Sequence, residues 1–158
     1  MTEESRAHLF FREHVDPNLR DWEGSPLEPR RAMNVAVALN QLADHYWHCF
    51  EGTAAVSGAT TLVEFRRALT AQCPSFGIIR DVADTHKHFG ISRADRNISN
   101  ASQATVGSMG WGEAEFGVGE WGSPPEIVVT FDDGTRHHFR AAVWNTFEMW
   151  KEMLAGVA

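Results

Sequence analysis

The sequence predicts an α+β fold in which an N-terminal antiparallel bundle of about four helices precedes a Gly/aromatic loop, a β-hairpin and a C-terminal helix. Apolar residues recur at helical spacing through residues 1–90, and an alternating apolar run precedes Asp133-Gly134. The residues between these two regions are rich in glycine and follow neither period. The length suits a single domain over 1–158, divided into a helical bundle (1–90), a loop-rich segment (91–125), a hairpin (126–140) and a closing helix (141–155).

Composition limits the class of protein. Hydrophobic residues make up 43% of the chain, which is enough for a core without disulfides. Asp and Glu number 21 against 14 Lys and Arg, which argues against general duplex binding because that needs a positive surface. The apolar runs are too short to span a bilayer, and no apolar signal region follows the polar N-terminus, so we expect a cytoplasmic chain with no membrane partner.

The first helix is predicted from its apolar spacing to run from about Ser5 to Val15. Asp16-Pro17 should end it, because proline has no N–H and its ring clashes with the preceding turn of a helix. Asp16 then caps a short second turn with Pro17 at its first position, and Gly24 ends that turn.

The next helix has the clearest start. Ser25 can accept a hydrogen bond from the Glu28 amide while the Glu28 side chain reaches back, which is the pattern of a capping box. The helix should then run to about Glu51, where Gly52 stops it. Its buried stripe is Val35, Leu39, Leu42, Tyr46 and Cys49.

Two further helices complete the predicted bundle. Thr61 to Glu64 repeats the capping-box pattern and opens a third helix, which Pro74 closes. Ser75 is predicted to cap a fourth helix that ends at Gly90. The apolar face of the fourth helix is Phe76, Ile79, Val82, Ala83, His86 and Phe89.

The hairpin is predicted around Asp133-Gly134. A two-residue turn there would put charged and apolar side chains on one face. A three-residue loop with Gly134 as a bulge pairs Phe131 with Thr135, and Ile127 with Phe139. That register gives one apolar face to lay on the helices, so we favour it. A final helix should follow from about Ala141 to Leu154, with Val143, Phe147, Trp150 and Leu154 on its buried side.

The predicted fourth helix carries the most suggestive motif. Arg80, five intervening residues and His86 resemble the R-x4-6-H motif of HEPN domains, and the wider string Arg-Asp-Val-Ala-Asp-x-x-Lys-His looks like one found in a family of small uncharacterised bacterial proteins. HEPN domains are helical, usually dimeric modules, many of which cleave RNA without a metal. The resemblance implies a phosphate and transition-state anchor at Arg80 and an acid/base group at His86. The alternative is a core histidine beside surface charges.

A second hypothesis concerns carboxylates and histidines one helical turn apart. Asp44 and His48 on the second helix, and Asp84 and His88 on the fourth, could meet between paired helices as the ligands of bundle metal sites do. Such a site would bind a transition metal such as Zn, Fe or Mn and activate water. The alternative is that both of these helix faces are solvated.

A cluster of basic residues offers a local anion site on an acidic chain. Phosphate or single-stranded RNA could bind there, with a loop aromatic for stacking. The members are Arg66, Arg67, Arg80, Lys87, Arg93 and Arg96. The interpretation that we favour instead pairs them with nearby carboxylates, namely Glu64, Asp81, Asp84 and Asp95.

The Gly-rich loop contains a five-residue repeat led by Trp111, Phe116 and Trp121. These aromatics either form an exposed recognition surface or seal an edge of the core. Three functions therefore stay open. The leading one, because it needs no special geometry, is a non-catalytic interaction or accessory module that forms a homo-oligomer or binds a protein partner. The others are a HEPN-like ribonuclease, or a degraded relative of one, and a helical-bundle metalloprotein.

Overall fold

The structure is a computed structural model that describes residues 5–87, 94–108 and 124–157. The helices are α1 (Arg6–Phe10), α2 (Asp16–Glu23), α3 (Pro29–Phe50), α4 (Leu62–Gln72), α5 (Pro74–Lys87) and α6 (Phe139–Ala155), and the strands are β1 (Ala104–Gly107), β2 (Glu126–Thr130) and β3 (Arg136–His138). The predicted α+β fold, with a helical N-terminal region and a C-terminal helix, is confirmed. Within these ranges no helix is both long and apolar enough to cross a membrane.

One hydrophobic core joins the helices to the sheet. Its bulkiest fully buried side chains come from α2 to α6, and they are Trp22, Tyr46, Phe65, Phe76, Phe139 and Trp150. The Trp150 indole donates to the Leu39 carbonyl at 3.1 Å, so α6 is hydrogen-bonded to α3 as well as packed on it. The predicted stripe of α6 is buried throughout, as is that of α3 except for the partly buried Cys49.

The helical path does not stop at Asp16-Pro17, so that prediction is wrong. Residues Phe11–Val15 form a π-helical turn, and the Asp16 N–H bonds to the Phe11 carbonyl. Pro17 then occupies the first turn of α2, where its fixed φ suits the helical backbone. The backbone stays helical through Val15 and Asp16, so α1 continues through the π-helical turn into α2.

The capping box at Ser25 does not form, and α3 begins later than predicted. Ser25 Oγ donates to the preceding carbonyl at 2.8 Å, and the Glu28 amide bonds to the Ser25 backbone carbonyl at 3.1 Å. Pro29 opens the helix because its fixed φ suits the first helical position, while the Glu28 carboxylate pairs with Arg31 at 3.0 Å. At the other end Gly52 follows the helix with a φ of +78°, consistent with the predicted stop.

The starts of α4 and α5 differ in how they are capped. Thr61 Oγ1 accepts from the Glu64 amide at 3.2 Å, as predicted. The Glu64 carboxylate does not complete the capping box at Thr61, because it accepts from the N–H and the hydroxyl of Thr60. Helix α5 begins at Pro74, before its predicted cap. Ser75 Oγ instead accepts from the Asn145 side-chain amide of α6 at 3.1 Å, so it joins two helices and caps neither.

The sheet is antiparallel with strand order β1-β2-β3, and the hairpin register is the one that we favoured. Val129 pairs with His137, and the Phe131 N–H donates to the Thr135 carbonyl at 2.8 Å. Gly134 has a φ of +89°, a backbone conformation that residues with side chains rarely adopt, so the bulge falls where predicted. The apolar face of β2 packs on the helices, also as predicted.

Two features of this region differ from the prediction. β1 lies inside the segment predicted to be loop, because its short run becomes a strand only by pairing with β2, as Val106 does with Ile127. Helix α6 begins at Phe139 and so takes the last two residues assigned to the hairpin. Phe139 is buried with its ring edge-on to Trp22 (centroids 5.7 Å apart), and this packing favours the earlier start.

Candidate functional site: a buried charge cluster on α5

Helix α5 is buried around its whole circumference over residues 76–83. It packs against α3, α4 and α6, and residues 94–97 cover a further side. The approach to α4 is close, because a Cβ on Gly77 would lie 2.9 Å from Thr70 Cγ2. This all-round packing carries two charged residues of α5, Arg80 and Asp81, into the interior.

Asp81 is 0% exposed and accepts hydrogen bonds on both carboxylate oxygens. Its Oδ1 accepts from Arg80 Nε and Nη2 at 2.9 and 2.8 Å. Its Oδ2 accepts from the backbone N–H and the side-chain amide of Asn97 at 2.8 and 3.1 Å. A buried carboxylate is tolerated only when it is paired and hydrogen-bonded in this way.

Arg96 completes the cluster from the other side. Its Nε and Nη2 donate to Asp84 Oδ2 at 3.0 and 2.7 Å, and its Nη1 donates to Asp95 Oδ2 at 2.9 Å. Arg80 Nη2 also donates to the Asp95 carbonyl at 2.8 Å. Two arginines and three aspartates therefore hold residues 94–97 against α5. We call this set, with Asn97, the α5 charge cluster.

Within the α5 charge cluster, desolvation has the largest effect on the ionisation of Asp81. Burial raises the pKa of Asp81 above its usual value, while the hydrogen bond from Asn97 and the Arg80 guanidinium oppose that rise. Arg80 Nε and Nη2 both donate into the cluster, and the side chain is only 6% exposed. Arg80 would have to break these bonds to reach a phosphate, so the arrangement is suited to holding a loop.

The two residues of the HEPN-like motif lie in different environments. Arg80 is 5% exposed, whereas His86 is exposed at the end of α5. The prediction that His86 lies on the apolar face is therefore wrong. Thr85 is the last residue of α5 that is buried among those described, so the packing around the helix ends before His86.

The predicted metal ligands are described only in part. Asp44 and Asp84 are each paired with an arginine, at 3.1 and 2.7 Å, and His48 is exposed. His88 lies outside the described residues. Among those described, no group of three or more His, Cys, Asp or Glu side chains could hold a metal ion. The metal site stays a prediction, which elemental analysis of chelator-free protein tests, with loss of the metal in His48→Ala.

Pairing of basic residues with nearby carboxylates is confirmed at Arg80 and Arg96. Arg66 makes a longer connection from α4 to α3. Its Nη1 donates to Asn40 Oδ1 at 2.7 Å and its Nη2 to Asp44 Oδ2 at 3.1 Å. Each of these three guanidinium groups is therefore committed to contacts within the protein, which weakens the case for an anion site.

The aromatic residues of the predicted recognition loop, Trp111, Phe116 and Trp121, lie outside the described residues. The structure does describe where their segment begins and ends. β1 finishes at Gly107 and β2 starts at Glu126, and these two residues are cross-strand partners. The connection therefore leaves the sheet and returns to it at adjacent points.

One pair on the sheet was not anticipated from the sequence. His138 Nδ1 lies 2.6 Å from Glu126 Oε1, with both side chains mostly buried. The favoured hairpin register already places them on one face as diagonal neighbours, so register analysis could have found this pair. His138 Nε2 is buried and has no hydrogen-bond partner among the described residues, so within them the ring is held at one nitrogen.

A second histidine contact lies between the N-terminal helices and α3. The His45 ring stacks on Phe10 with ring centroids 3.9 Å apart, and His14 contacts the same ring at 4.7 Å. Burial lowers the pKa of His45, the charges of His14 and His48 add to this, and Asp44 opposes it. A proton on His45 is thus disfavoured in the folded chain.

Comparison of the chain with protein-family models, with curated proteins and with solved structures finds no match. The class of this protein is therefore defined by its fold and its candidate site alone. It is an α+β protein whose central helix is tied to a neighbouring segment by the α5 charge cluster.

Proposed function

We propose that the chain is a non-catalytic interaction or accessory module, which contacts a protein partner or a second copy of itself through the connection between β1 and β2. The observation that carries the proposal is the pairing of Gly107 with Glu126, which roots both ends of this connection side by side on the sheet. Connections of more than about 12–15 residues within a compact domain are usually functional or serve as linkers. The proposal takes the chain to be cytoplasmic.

The composition of this connection supports a role in recognition. Residues 108–125 contain Trp111, Phe116 and Trp121, and aromatic side chains are enriched at the energetic centres of protein interfaces. The same residues include three glutamates and no lysine or arginine. A segment that combines aromatic side chains with negative charge suits a partner that combines basic residues with an apolar patch.

The α5 charge cluster supports a non-catalytic role. Arg80 is the residue that the HEPN-like motif would use to hold a phosphate, yet its Nε and Nη2 donate to Asp81 and Asp95. Breaking a buried ion pair to free one partner costs about 3–5 kcal/mol. Positioning the neighbouring segment is a role that these contacts serve without such a cost.

Sedimentation velocity over a wide range of protein concentration tests the proposal. We expect the parent chain to self-associate and the triple variant Trp111→Ala/Phe116→Ala/Trp121→Ala to stay monomeric. The matched control is Leu27→Ala/Val63→Ala, which truncates two exposed apolar residues elsewhere (38% and 58% exposed) and should associate as the parent does. Equal association of the triple variant and the parent would remove the loop from the interface.

Quenching of tryptophan fluorescence by acrylamide separates a protein partner from self-association. Trp22, Trp47 and Trp150 are buried, so quenchable emission should come from the loop tryptophans and from the partly buried Trp144. A monomer with accessible loop tryptophans points to a different protein as the partner. A monomer at high concentration whose loop tryptophans resist acrylamide contradicts the proposal.

A HEPN-like ribonuclease is the second candidate, and the exposure of His86 favours it, because an acid/base group must reach its substrate. The test is cleavage of single-stranded RNA in the presence of a chelator. His86→Ala should abolish cleavage with the fold intact, and His48→Ala, which changes another exposed histidine, should not. Arg80→Ala is a poor probe because it also removes a structural ion pair. No cleavage by the parent chain ends this candidate.

A further inference from the structure

The tip of the β2–β3 hairpin carries an Asp-Gly bond whose two reacting groups are both restrained. Asp133 and Gly134 are exposed. Asp133 Oδ1 accepts from the Thr135 N–H at 2.8 Å and from Thr135 Oγ1 at 2.7 Å. The Gly134 N–H donates to the Phe131 carbonyl at 2.9 Å. The carboxylate and the amide nitrogen that follows it are thus each committed to another partner.

We propose that Asp133-Gly134 is a latent isomerisation site and that the Thr135 side chain restrains it. In the reaction the Gly134 nitrogen attacks Asp133 Cγ, the Cγ–O bond breaks, and water leaves to give a five-membered succinimide. Water then adds at the former main-chain carbonyl of Asp133, and the bond from that carbon to nitrogen breaks. The product is isoaspartate with a free α-carboxylate. One water leaves and one returns, so the mass is unchanged and no further reactant is needed.

Glycine makes this bond reactive, and Thr135 opposes the reaction in two ways. A residue without Cβ after the aspartate leaves the attacking nitrogen unhindered. The two hydrogen bonds from Thr135 restrain the carboxylate, so they must break or shift before it can react. The same bonds lower the pKa of Asp133, which keeps the group ionised, whereas ring closure expels water more readily from the neutral acid.

Isomerisation would alter the turn on which the hairpin depends. The product routes the main chain through Cβ and Cγ of Asp133, so it lengthens the backbone by one carbon inside a tight loop. Gly134 holds this loop at a φ of +89°, and Phe131 and Thr135 are hydrogen-bonded directly across it. Helix α6 begins at Phe139, directly after β3, so a change in the loop that alters the β2–β3 pairing would also displace the start of that helix.

Peptide mass spectrometry with electron-transfer fragmentation tests the proposal on the intact chain aged at neutral pH. We compare the parent, Thr135→Val, Thr135→Ser and the parent in denaturant. Thr135→Val keeps the branched shape and the backbone hydrogen bond but loses the hydroxyl. It should form isoaspartate about two- to tenfold faster than the parent, as expected for the loss of one hydrogen bond. Thr135→Ser should match the parent, and the denatured chain should react fastest.

Asp132 is the internal control, because it lies in the same loop but precedes an aspartate instead of a glycine. Near-ultraviolet circular dichroism establishes that Thr135→Val keeps the fold. Equal rates in Thr135→Val and the parent would overturn the role of Thr135. A folded parent that reacts as fast as the denatured chain, or a denatured chain that forms no isoaspartate at Asp133, would overturn the site itself.

Discussion

Consecutive helices α4 and α5 show two different relations between sequence and structure. On α4, Phe65 and Leu69 face the core while Val63 is 58% exposed, so one side of the helix is buried. On α5, every residue from 76 to 83 is buried. The spacing of apolar residues along α4 is therefore sufficient to predict which side of that helix is buried. The environment of α5 depends on what the rest of the chain packs around it.

The arginine pairs of the two helices show the same difference. Arg66 of α4 and its partner Asp44 have side chains 19% and 42% exposed, whereas those of Arg80 and Asp81 are 6% and 0% exposed. Water screens the first pair and competes for its hydrogen bonds. The second pair is buried, so solvent replaces a lost partner less readily, and the same chemical change should have unequal effects on the free energy of unfolding.

The largest predicted effect is that of Asp81→Asn. This change leaves the Arg80 guanidinium buried beside a neutral side chain, and we expect it to lower the free energy of unfolding by about 3–5 kcal/mol. The matched control, Asp44→Asn, should cost about 1 kcal/mol or less. Denaturation in urea measures both. Similar losses in the two variants would show that burial does not increase the contribution of the α5 pair to the free energy of unfolding.

A second prediction concerns the close approach between the helices. Gly77→Ala would place a Cβ 2.9 Å from Thr70 Cγ2, a side chain that is held by a 3.0 Å hydrogen bond from its Oγ1 to the Arg66 carbonyl. Overpacking costs about 1–3 kcal/mol, and the better helix propensity of alanine returns about 1 kcal/mol. We therefore expect a net loss of up to about 2 kcal/mol.

Removing the obstructing methyl group tests this explanation. Thr70→Ser keeps the hydroxyl and its hydrogen bond but removes Cγ2. In that background, Gly77→Ala should become neutral or stabilising, because only the propensity term is left. An equal loss in both backgrounds would show that something other than Thr70 limits the space at residue 77.

The third prediction compares the two caps expected from the sequence. Thr61 Oγ1 accepts from the Glu64 amide, so Thr61→Ala should cost about 1 kcal/mol. Ser75 accepts from Asn145 and caps no helix, so Ser75→Ala should stay within about 0.5 kcal/mol. Thermal and urea unfolding of the two variants measure the difference. Equal costs would mean that Ser75 does cap α5 in solution.

Local patterns accounted for much of the fold. The stripes of α3 and α6 and the Gly134 bulge depend on spacing and turn chemistry, which nearby residues determine. The break at Asp16-Pro17 and the Ser25 cap were predicted by the same kind of rule but did not occur. Before Pro17 a π-helical turn kept the backbone helical, and after Ser25 the helix began four residues later, at Pro29.

The candidate site was less predictable because it depends on contacts between distant residues. Sequence spacing placed Arg80 and Asp84 on one helix, and the favoured pairing with nearby carboxylates was correct for Arg80 and Arg96. It did not reveal that Asn97 would donate two hydrogen bonds to Asp81. Nor did it reveal that residues 94–97 would cover α5 and so bury the pair formed by Arg80 and Asp81. β1 was missed for the same reason, since a run of four residues becomes a strand only through its partner.

The smallest predicted effect compares a partly buried histidine with an exposed one. The pKa of His45 in the folded chain is lower than the ordinary 6.5 of an unfolded chain, chiefly because of burial against its neighbours, with His14 and His48 adding to it. The unfolded chain therefore binds this proton more tightly. The stabilising contribution of neutral His45 is present above pH 6.5 and is lost as the pH falls from 6.5 through the lowered value.

Urea denaturation at a series of pH values measures this contribution. His45→Gln should flatten the decline in the free energy of unfolding below about pH 6.5, because glutamine binds no proton in either state. His86→Gln, at the exposed end of α5, is the matched control, in which a histidine outside the Phe10 contact is replaced. If His45→Gln keeps the slope of the parent, the acid sensitivity arises elsewhere, and His45 tolerates its proton through attraction to the Phe10 ring.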